Sequence, residues 1–318
     1  MKIATMAVGL GEKEFKSICQ SVASAAKLCE AVRSEKVMSM AKADQSPVTI
    51  ADYGSQAIIC KTLQEIFPED PVVAEEDASD LRTNTEQLKQ VAQYVAQTGC
   101  SCKEEDILGW IDNGNGKTNM KRFWTLDPID GTKGYIRGDQ YAICLALIEG
   151  GHTQAGILAC PALDVDGTIG HLFTAQRGKG AFRKQLGVNE SASWKKLQVD
   201  KSANSAVQSF EASHGNHSAQ ETVAKAIGIG DMIPMDSQAK YSMVASGKAA
   251  LYLRLSNYHE NIWDHAAGTI IVQEAGGKVT DRNGKPLNFA SAKMFENSGV
   301  VVSNGSTHDA ALSILQNY

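Results

Sequence analysis

Trp124-Thr125-Leu126-Asp127-Pro128-Ile129-Asp130-Gly131-Thr132 is the stretch on which the reading of this chain turns. Its first residues have the composition of a hydrophobic strand, and that strand delivers Asp127 to its end. Pro128 fixes φ and supplies no N–H, and Gly131 permits a sharp turn. Two carboxylates three residues apart on such a turn can converge on one point, with the Ile129 carbonyl between them. Hard cations such as Mg²⁺ take oxygen donors of this kind. Singly, Asp-Pro and Asp-Gly are ordinary turn dipeptides, so the weight rests on what accompanies them.

Three other acidic places do. Val72-Val73-Ala74-Glu75-Glu76-Asp77 puts acids directly after a short apolar strand, although three acids in a row are by themselves commonly a solvated patch. Asp52 falls in the first turn of the helix after Pro47-Val48-Thr49, where the helix dipole alone would explain it. Asn261-Ile262-Trp263-Asp264-His265-Ala266-Ala267-Gly268 sets Asp264 at a helix start, where capping is a sufficient reason.

Working outward, Phe15, Ile18, Val22, Ala25, Cys29 and Val32 recur at helical spacing and predict an amphipathic first helix. A second helix is expected from near Thr49 to Phe67, ending at Pro68-Glu69-Asp70-Pro71. The polar segment from Ala78 to Lys121 reads as an exposed helical excursion closed by Asp112-Asn113-Gly114-Asn115-Gly116. Strand-like runs follow at Phe123–Leu126, Tyr141–Ile148, Thr153–Ala159 and Gly170–Ala175. Gln176-Arg177-Gly178-Lys179-Gly180-Ala181 has the look of a phosphate-binding glycine run, but a hairpin turn is the better reading. After about Lys195, short strands alternate with helices, the pattern of a compact α/β domain. The expected division is an α+β domain over residues 1–195 and an α/β domain over 196–318, with ligands at strand ends and the domain junction.

Composition bounds the function. With 318 residues the chain is long for a single core. Its 36 acidic and 31 basic side chains give a net charge of −5, which argues against a nucleic-acid polymer as partner. The longest apolar run, Tyr141 to Ile148, is far short of the roughly 20 residues a bilayer requires, so no membrane span is expected. The N-terminal stretch has no signal-peptide pattern, and a cytoplasmic location is expected. Seven cysteines, an odd number without a Cys-x-x-Cys pair, read as reduced thiols. Nothing in the sequence implies an oligomer.

Together the acidic motifs, in this order, resemble the lithium-sensitive, magnesium-dependent phosphatase superfamily that includes inositol monophosphatase. Gly134-Tyr135-Ile136-Arg137-Gly138, Met235-Asp236-Ser237-Gln238-Ala239-Lys240-Tyr241 and Leu251-Tyr252-Leu253-Arg254-Leu255 are most similar to its 3'(2'),5'-bisphosphate nucleotidase branch. Ala74 departs from the pattern, which usually has Gly before the paired Glu. The resemblance implies a layered α/β/α/β/α sandwich and a phosphomonoesterase of sulfur assimilation that removes the 3'-phosphate of 3'-phosphoadenosine 5'-phosphate, with its phosphosulfate analogue as a second candidate substrate. It also implies metal ligands at Glu75, Asp127, the Ile129 carbonyl, Asp130 and Asp264, holding two or three Mg²⁺ ions, with Li⁺ as inhibitor. Thr132 and Asp52 would form the relay that takes the proton of the attacking water, and Glu76 would act through an outer water. Amides near Gly131 and Thr132 would meet the scissile phosphate. Ser237, Lys240 and Arg254 would hold a second phosphate, with His214, Asp236 and Asp264 also near the substrate. An inositol polyphosphate 1-phosphatase or inositol monophosphatase is the enzymatic alternative, and a non-catalytic anion sensor the other.

Overall fold

Strand residues in the middle of this chain are apolar on both faces, and the two faces enter different cores. Along Arg122–Asp130, Trp124 and Leu126 join one hydrophobic cluster while Phe123 joins another. The neighbouring strand repeats the division: Ile143, Leu145 and Leu147 go one way, and Ala142, Cys144, Ala146 and Ile148 the other. A sheet buried on both faces has no polar side to show, which accounts for the continuous apolar run read in the sequence.

The computed structural model describes residues 10–35, 40–41, 47–48, 50–118, 121–188, 192–211, 217–255 and 258–316. Helix α1 (Glu12–Ser34) is followed by the small hairpin β1 (Met40–Ala41) and β2 (Pro47–Val48), then by α2 (Ile50–Ile66) and β3 (Val72–Ala74). Three helices, α3 (Ser79–Thr83), α4 (Thr85–Gln97) and α5 (Glu104–Asp112), lead to β4 (Arg122–Asp130) and the short α6 (Thr132–Arg137). An antiparallel series comes next: β5 (Ala142–Glu149), β6 (His152–Val165), β7 (Thr168–Gln176), β8 (Gly180–Gln185) and β9 (Lys195–Lys196). The remainder is β10 (Ser205–Ser209), α7 (His217–Ala226), β11 (Asp231–Met235), α8 (Ala239–Ala245), β12 (Leu251–Arg254), a 3₁₀ turn at Ile262–Asp264, α9 (Ala266–Glu274), β13 (Lys278–Thr280), β14 (Val300–Ser303) and α10 (His308–Leu315).

Strands β3 to β9 form one sheet of 7 strands in sequence order, parallel only between β3 and β4. The second sheet has 5 strands in the order β11-β10-β12-β14-β13 and is mixed. Three hydrophobic clusters separate the layers. The first packs α1, α2, α4 and α5 on one face of the larger sheet. The second fills the space between the sheets with α8 and α9. The third packs α7 and α10 on the outer face of the smaller sheet. The order of layers is therefore α/β/α/β/α, as the resemblance implied. Among the described residues no helix is long and apolar enough to cross a membrane.

Several local readings need correction. Residues 78–121 are not an exposed excursion. Leu88, Val91 and Val95 on α4 and Ile107 and Ile111 on α5 are buried in the first cluster, because interleaved polar residues hide an apolar stripe at helical spacing. The helix expected to start at Asp264 starts instead at Ala266, after a separate 3₁₀ turn over Ile262–Asp264, and β8, β9 and β13 are strands in addition to the runs predicted above. The glycine run is a β7–β8 hairpin turn whose Gly178 and Gly180 amides donate to the Glu274 carboxylate, each at 2.9 Å. The chain's own carboxylate engages the donors that a phosphate would need.

Candidate active site

Asp127 and Asp130 are three positions apart, an odd step, so in a regular strand they would face opposite sides of the sheet. They do not, because β4 is bulged between them: Asp127 pairs with Cys144 and Asp130 with Ala142, three steps on one strand against two on the other. Pro128, with no N–H to place in a ladder, sits inside this irregularity. The expected turn after the strand is thus a bulge within it, and the bulge restores the parity that brings both carboxylates to one side. The Asp127 Oδ1 accepts the Ile129 N–H at 3.1 Å, and the Thr132 hydroxyl donates to the Ile129 carbonyl at 3.1 Å. Gly131 then turns the chain at φ 85°, and a Cβ there would lie 3.1 Å from that of Ser237.

Asp264 arrives from the other side of the cleft, on the 3₁₀ turn ahead of α9. One carboxylate oxygen from each of Asp127, Asp130 and Asp264 lies within 4.8 Å of the other two. Burial, then the charges of Glu75, Asp130 and Asp264, raises the Asp127 pKa well above the carboxylate range. Burial and Asp264 push Asp130 up to about 6, and burial raises Asp264 as well. Three acids held this close repel one another unless a cation or a proton stands between them.

These residues line a cleft of about 380 Å³. Its wall also carries Glu75, Glu76, Ile129, Gly131, Thr132, Asp236, Ser237, Lys240 and Arg254, so almost every expected site residue converges there. Asp52 is the exception: it is buried in the first turn of α2 and is not part of the lining. His214 lies outside the described residues. The lining counts eight carboxylates, including Glu211 and Glu260, against Lys133, Lys240 and Arg254. An anionic substrate would be repelled by that balance unless cations reversed it. The oxygen donors, their convergence and this surplus of negative charge all fit divalent metal ions.

Lys240 and Arg254 lie close enough for their charges to act on each other, while Lys133 faces Glu211. Lys240 is buried, donates to the Met235 carbonyl at 3.1 Å, and has its pKa lowered to about 8 by burial. Arg254 grips Glu260, and Glu260 is also approached by His265 Nε2 at 3.6 Å. Burial opposes ionisation of Glu260, but the hydrogen bonds and charges of His265 and Arg254 prevail and hold its pKa below the usual range. Ser237 adopts φ 63°, rare for a residue with a side chain, and its Oγ accepts the Ala239 N–H at 3.2 Å. Asp236 is bound by Arg137, which also reaches Asp139 and Glu211.

Glu260, Gln238 and Lys133 belong to this site without having been singled out in the sequence. An arginine on an otherwise apolar strand needs an acid nearby, so Arg254 in Leu251-Tyr252-Leu253-Arg254 could have pointed to Glu260. Gln238 carries no such signal, because its role depends on contacts with Asp130 and Trp263, 108 and 25 positions away.

The sequence matches the inositol monophosphatase family over residues 11–318. The 3'(2'),5'-bisphosphate nucleotidase 2 of Candida albicans is 35% identical, covering 98% of this chain and 95% of its own. The 3'(2'),5'-bisphosphate nucleotidase of Schizosaccharomyces pombe is 40% identical over 83% of this chain and 81% of its own. Among solved structures, the Thermotoga maritima IMPase superimposes with a TM-score of 0.67 at 23% identity, covering 96% and 98% of the two chains. Its agreement concerns the layered fold, whereas the sequence match also spans every motif around the cleft: this chain belongs to the inositol monophosphatase family.

Proposed function

We propose that this chain is a magnesium-dependent 3'(2'),5'-bisphosphate nucleotidase that hydrolyses the 3'-phosphate of 3'-phosphoadenosine 5'-phosphate, giving AMP and phosphate. The observation that carries the reading is the sharing of one cleft by a three-carboxylate cluster and two cations, buried Lys240 and part-buried Arg254. The names of the relatives that match at 35–40% identity support it.

In this reading Asp127, Asp130 and Asp264, with Glu75 and the Ile129 carbonyl, hold the divalent cations. When bound, those cations supply the Lewis acidity that activates a water and neutralises the departing oxygen. The residues do the rest. Gly131 and Thr132 present main-chain donors beside the scissile phosphate at the start of α6. Thr132 passes the proton of the attacking water toward Asp52, whose carboxylate is kept out of bulk solvent. Lys240, Ser237 and Arg254 bind the phosphate that does not react, and this fixes the distance from the anchor to the reacting phosphorus. Water attacks phosphorus, the ester bond to the 3'-oxygen breaks, and that oxygen takes up a proton from solvent water as it leaves, while the proton of the attacking water rests on Asp52 until it is returned to solvent.

The test is phosphate release from adenosine 3',5'-bisphosphate, inositol 1,4-bisphosphate and inositol 1-phosphate under one Mg²⁺ concentration. Preference for the adenosine substrate is expected. Preference for either inositol phosphate would transfer the chain to the inositol branch, and no release from any would favour an anion sensor.

A further inference from the structure

Among the buried glutamines are Gln56 on α2 and Gln238 at the start of α8. Each spends both ends of its amide on main chain beside a carboxylate of the cleft. The Gln56 Oε1 accepts the Glu76 N–H at 3.1 Å, and its Nε2 donates to the carbonyls of Glu76 at 2.6 Å and Ile111 at 3.0 Å. The peptide it grips follows Glu75 directly. The Gln238 Oε1 accepts the Gly268 N–H at 2.9 Å, and its Nε2 donates to the Trp263 carbonyl at 2.7 Å. That carbonyl belongs to the peptide preceding Asp264. The backbone N–H of Gln238 also donates to the Asp130 carboxylate.

We propose that Gln56 and Gln238 are positioning residues that hold Glu75 and Asp264 at the spacing from Asp127 and Asp130 that cation binding requires. Glu75 and Asp264 come from different layers: one follows β3 at the edge of the larger sheet, the other precedes α9 between the sheets. The Glu75 N–H donates to the Leu126 carbonyl at 3.1 Å, which ties it to the strand of Asp127, but among the described residues no strand pairing joins Glu75 to Asp264, and the distance between those two depends also on such cross-links. An amide suits the task because it both donates and accepts. It also adds no charge to a site already crowded with acids. A lysine in either place would leave the main-chain N–H without its acceptor, a glutamate would leave the main-chain carbonyls without their donor, and either would add a buried charge. Groups that orient metal ligands through one intermediary commonly govern affinity by about 10–100-fold.

The inference rests on the reading of the acidic cluster as a cation site, and the experiment separates the two. Mn²⁺ binding to chelator-stripped protein is measured by electron paramagnetic resonance and calorimetry for the wild type, Gln56→Met and Gln238→Met. Gln220→Met, which removes a buried amide on α7 away from the cleft, is the control. Each measurement is made well below the melting temperature of the variant. Mn²⁺ affinity is expected to fall by about tenfold or more in both glutamine variants and to stay at the wild-type value in the control. If the methionine variants do not fold, Gln56→Asn and Gln238→Asn, which keep the amide but withdraw it by one methylene, carry the same expectation. Wild-type affinity in both glutamine variants would overturn the inference, whatever happens to their melting temperatures. Absence of Mn²⁺ binding by the wild type would overturn the cation reading and the inference with it.

Discussion

Arg254 and Glu260 form a two-point pair on the cleft wall, Nε to Oε1 at 2.7 Å and Nη2 to Oε2 at 3.3 Å. Nη2 also meets the Tyr258 hydroxyl at 2.6 Å, while Nη1 makes one long contact, 3.4 Å, with the Ser209 hydroxyl. The arginine is thus aimed by a buried acid and keeps donor capacity at Nη1 for a phosphate oxygen.

Arg254→Ala should therefore weaken hydrolysis of adenosine 3',5'-bisphosphate far more than that of adenosine 3'-monophosphate. Charge-assisted hydrogen bonds contribute about 1.5–3 kcal/mol each, so a selective loss of about ten- to a hundredfold in kcat/KM is expected. The same change strands buried Glu260, and stability should fall by about 3–5 kcal/mol. Steady-state kinetics on both substrates, at a temperature where the variant is folded, checks this. Equal losses on the two substrates would remove Arg254 from the second phosphate pocket.

Asp127→Asn should abolish turnover, a loss of roughly a thousandfold or more, because several kcal/mol of transition-state stabilisation depend on its charge. The variant should nevertheless melt higher than wild type in the presence of a chelator. Asn keeps an oxygen for the Ile129 N–H but removes a buried charge that Glu75, Asp130 and Asp264 oppose. Activity near that of wild type, or a lower melting temperature in chelator, would contradict the crowding described here.

Protons and Mg²⁺ should compete for the cluster. Asp130 titrates at about 6 rather than at the usual carboxylate value. The folded chain therefore binds more protons than the unfolded chain between pH 4 and 6. The sign follows: without metal, this group's contribution to stability is largest at acidic pH and is lost as pH rises through about 6. The Mg²⁺ concentration for half-maximal activity should rise as pH drops below that value. Activation curves between pH 5 and 8, with chelator melts alongside, measure both effects. A half-maximal concentration independent of pH would refute the coupling.

Li⁺ should inhibit in the presence of Mg²⁺ by taking one of the carboxylate-lined positions. NaCl at equal ionic strength controls for screening. Superimposable LiCl and NaCl inhibition curves would withdraw lithium sensitivity without touching the phosphatase reading.

The sequence by itself determined the family, the layered fold and the motifs that carry acids, because these are local. A strand ending in Asp-Pro-Ile-Asp-Gly-Thr, a helix opening at Trp-Asp-His and an apolar run at Tyr141–Ile148 are each readable within ten residues. What local spacing could not supply was parity and distance. That Asp127 and Asp130 face the same side depends on a bulge measured against β5. Their approach to Asp264 depends on packing between two sheets. The apolar stripe of α4 was hidden by its polar neighbours until α1 and α2 were placed against it. Gln56, Gln238 and Glu260 are ordinary letters in the sequence. Their partners are set by burial, because a buried amide or carboxylate must find hydrogen bonds wherever the fold brings donors and acceptors to it.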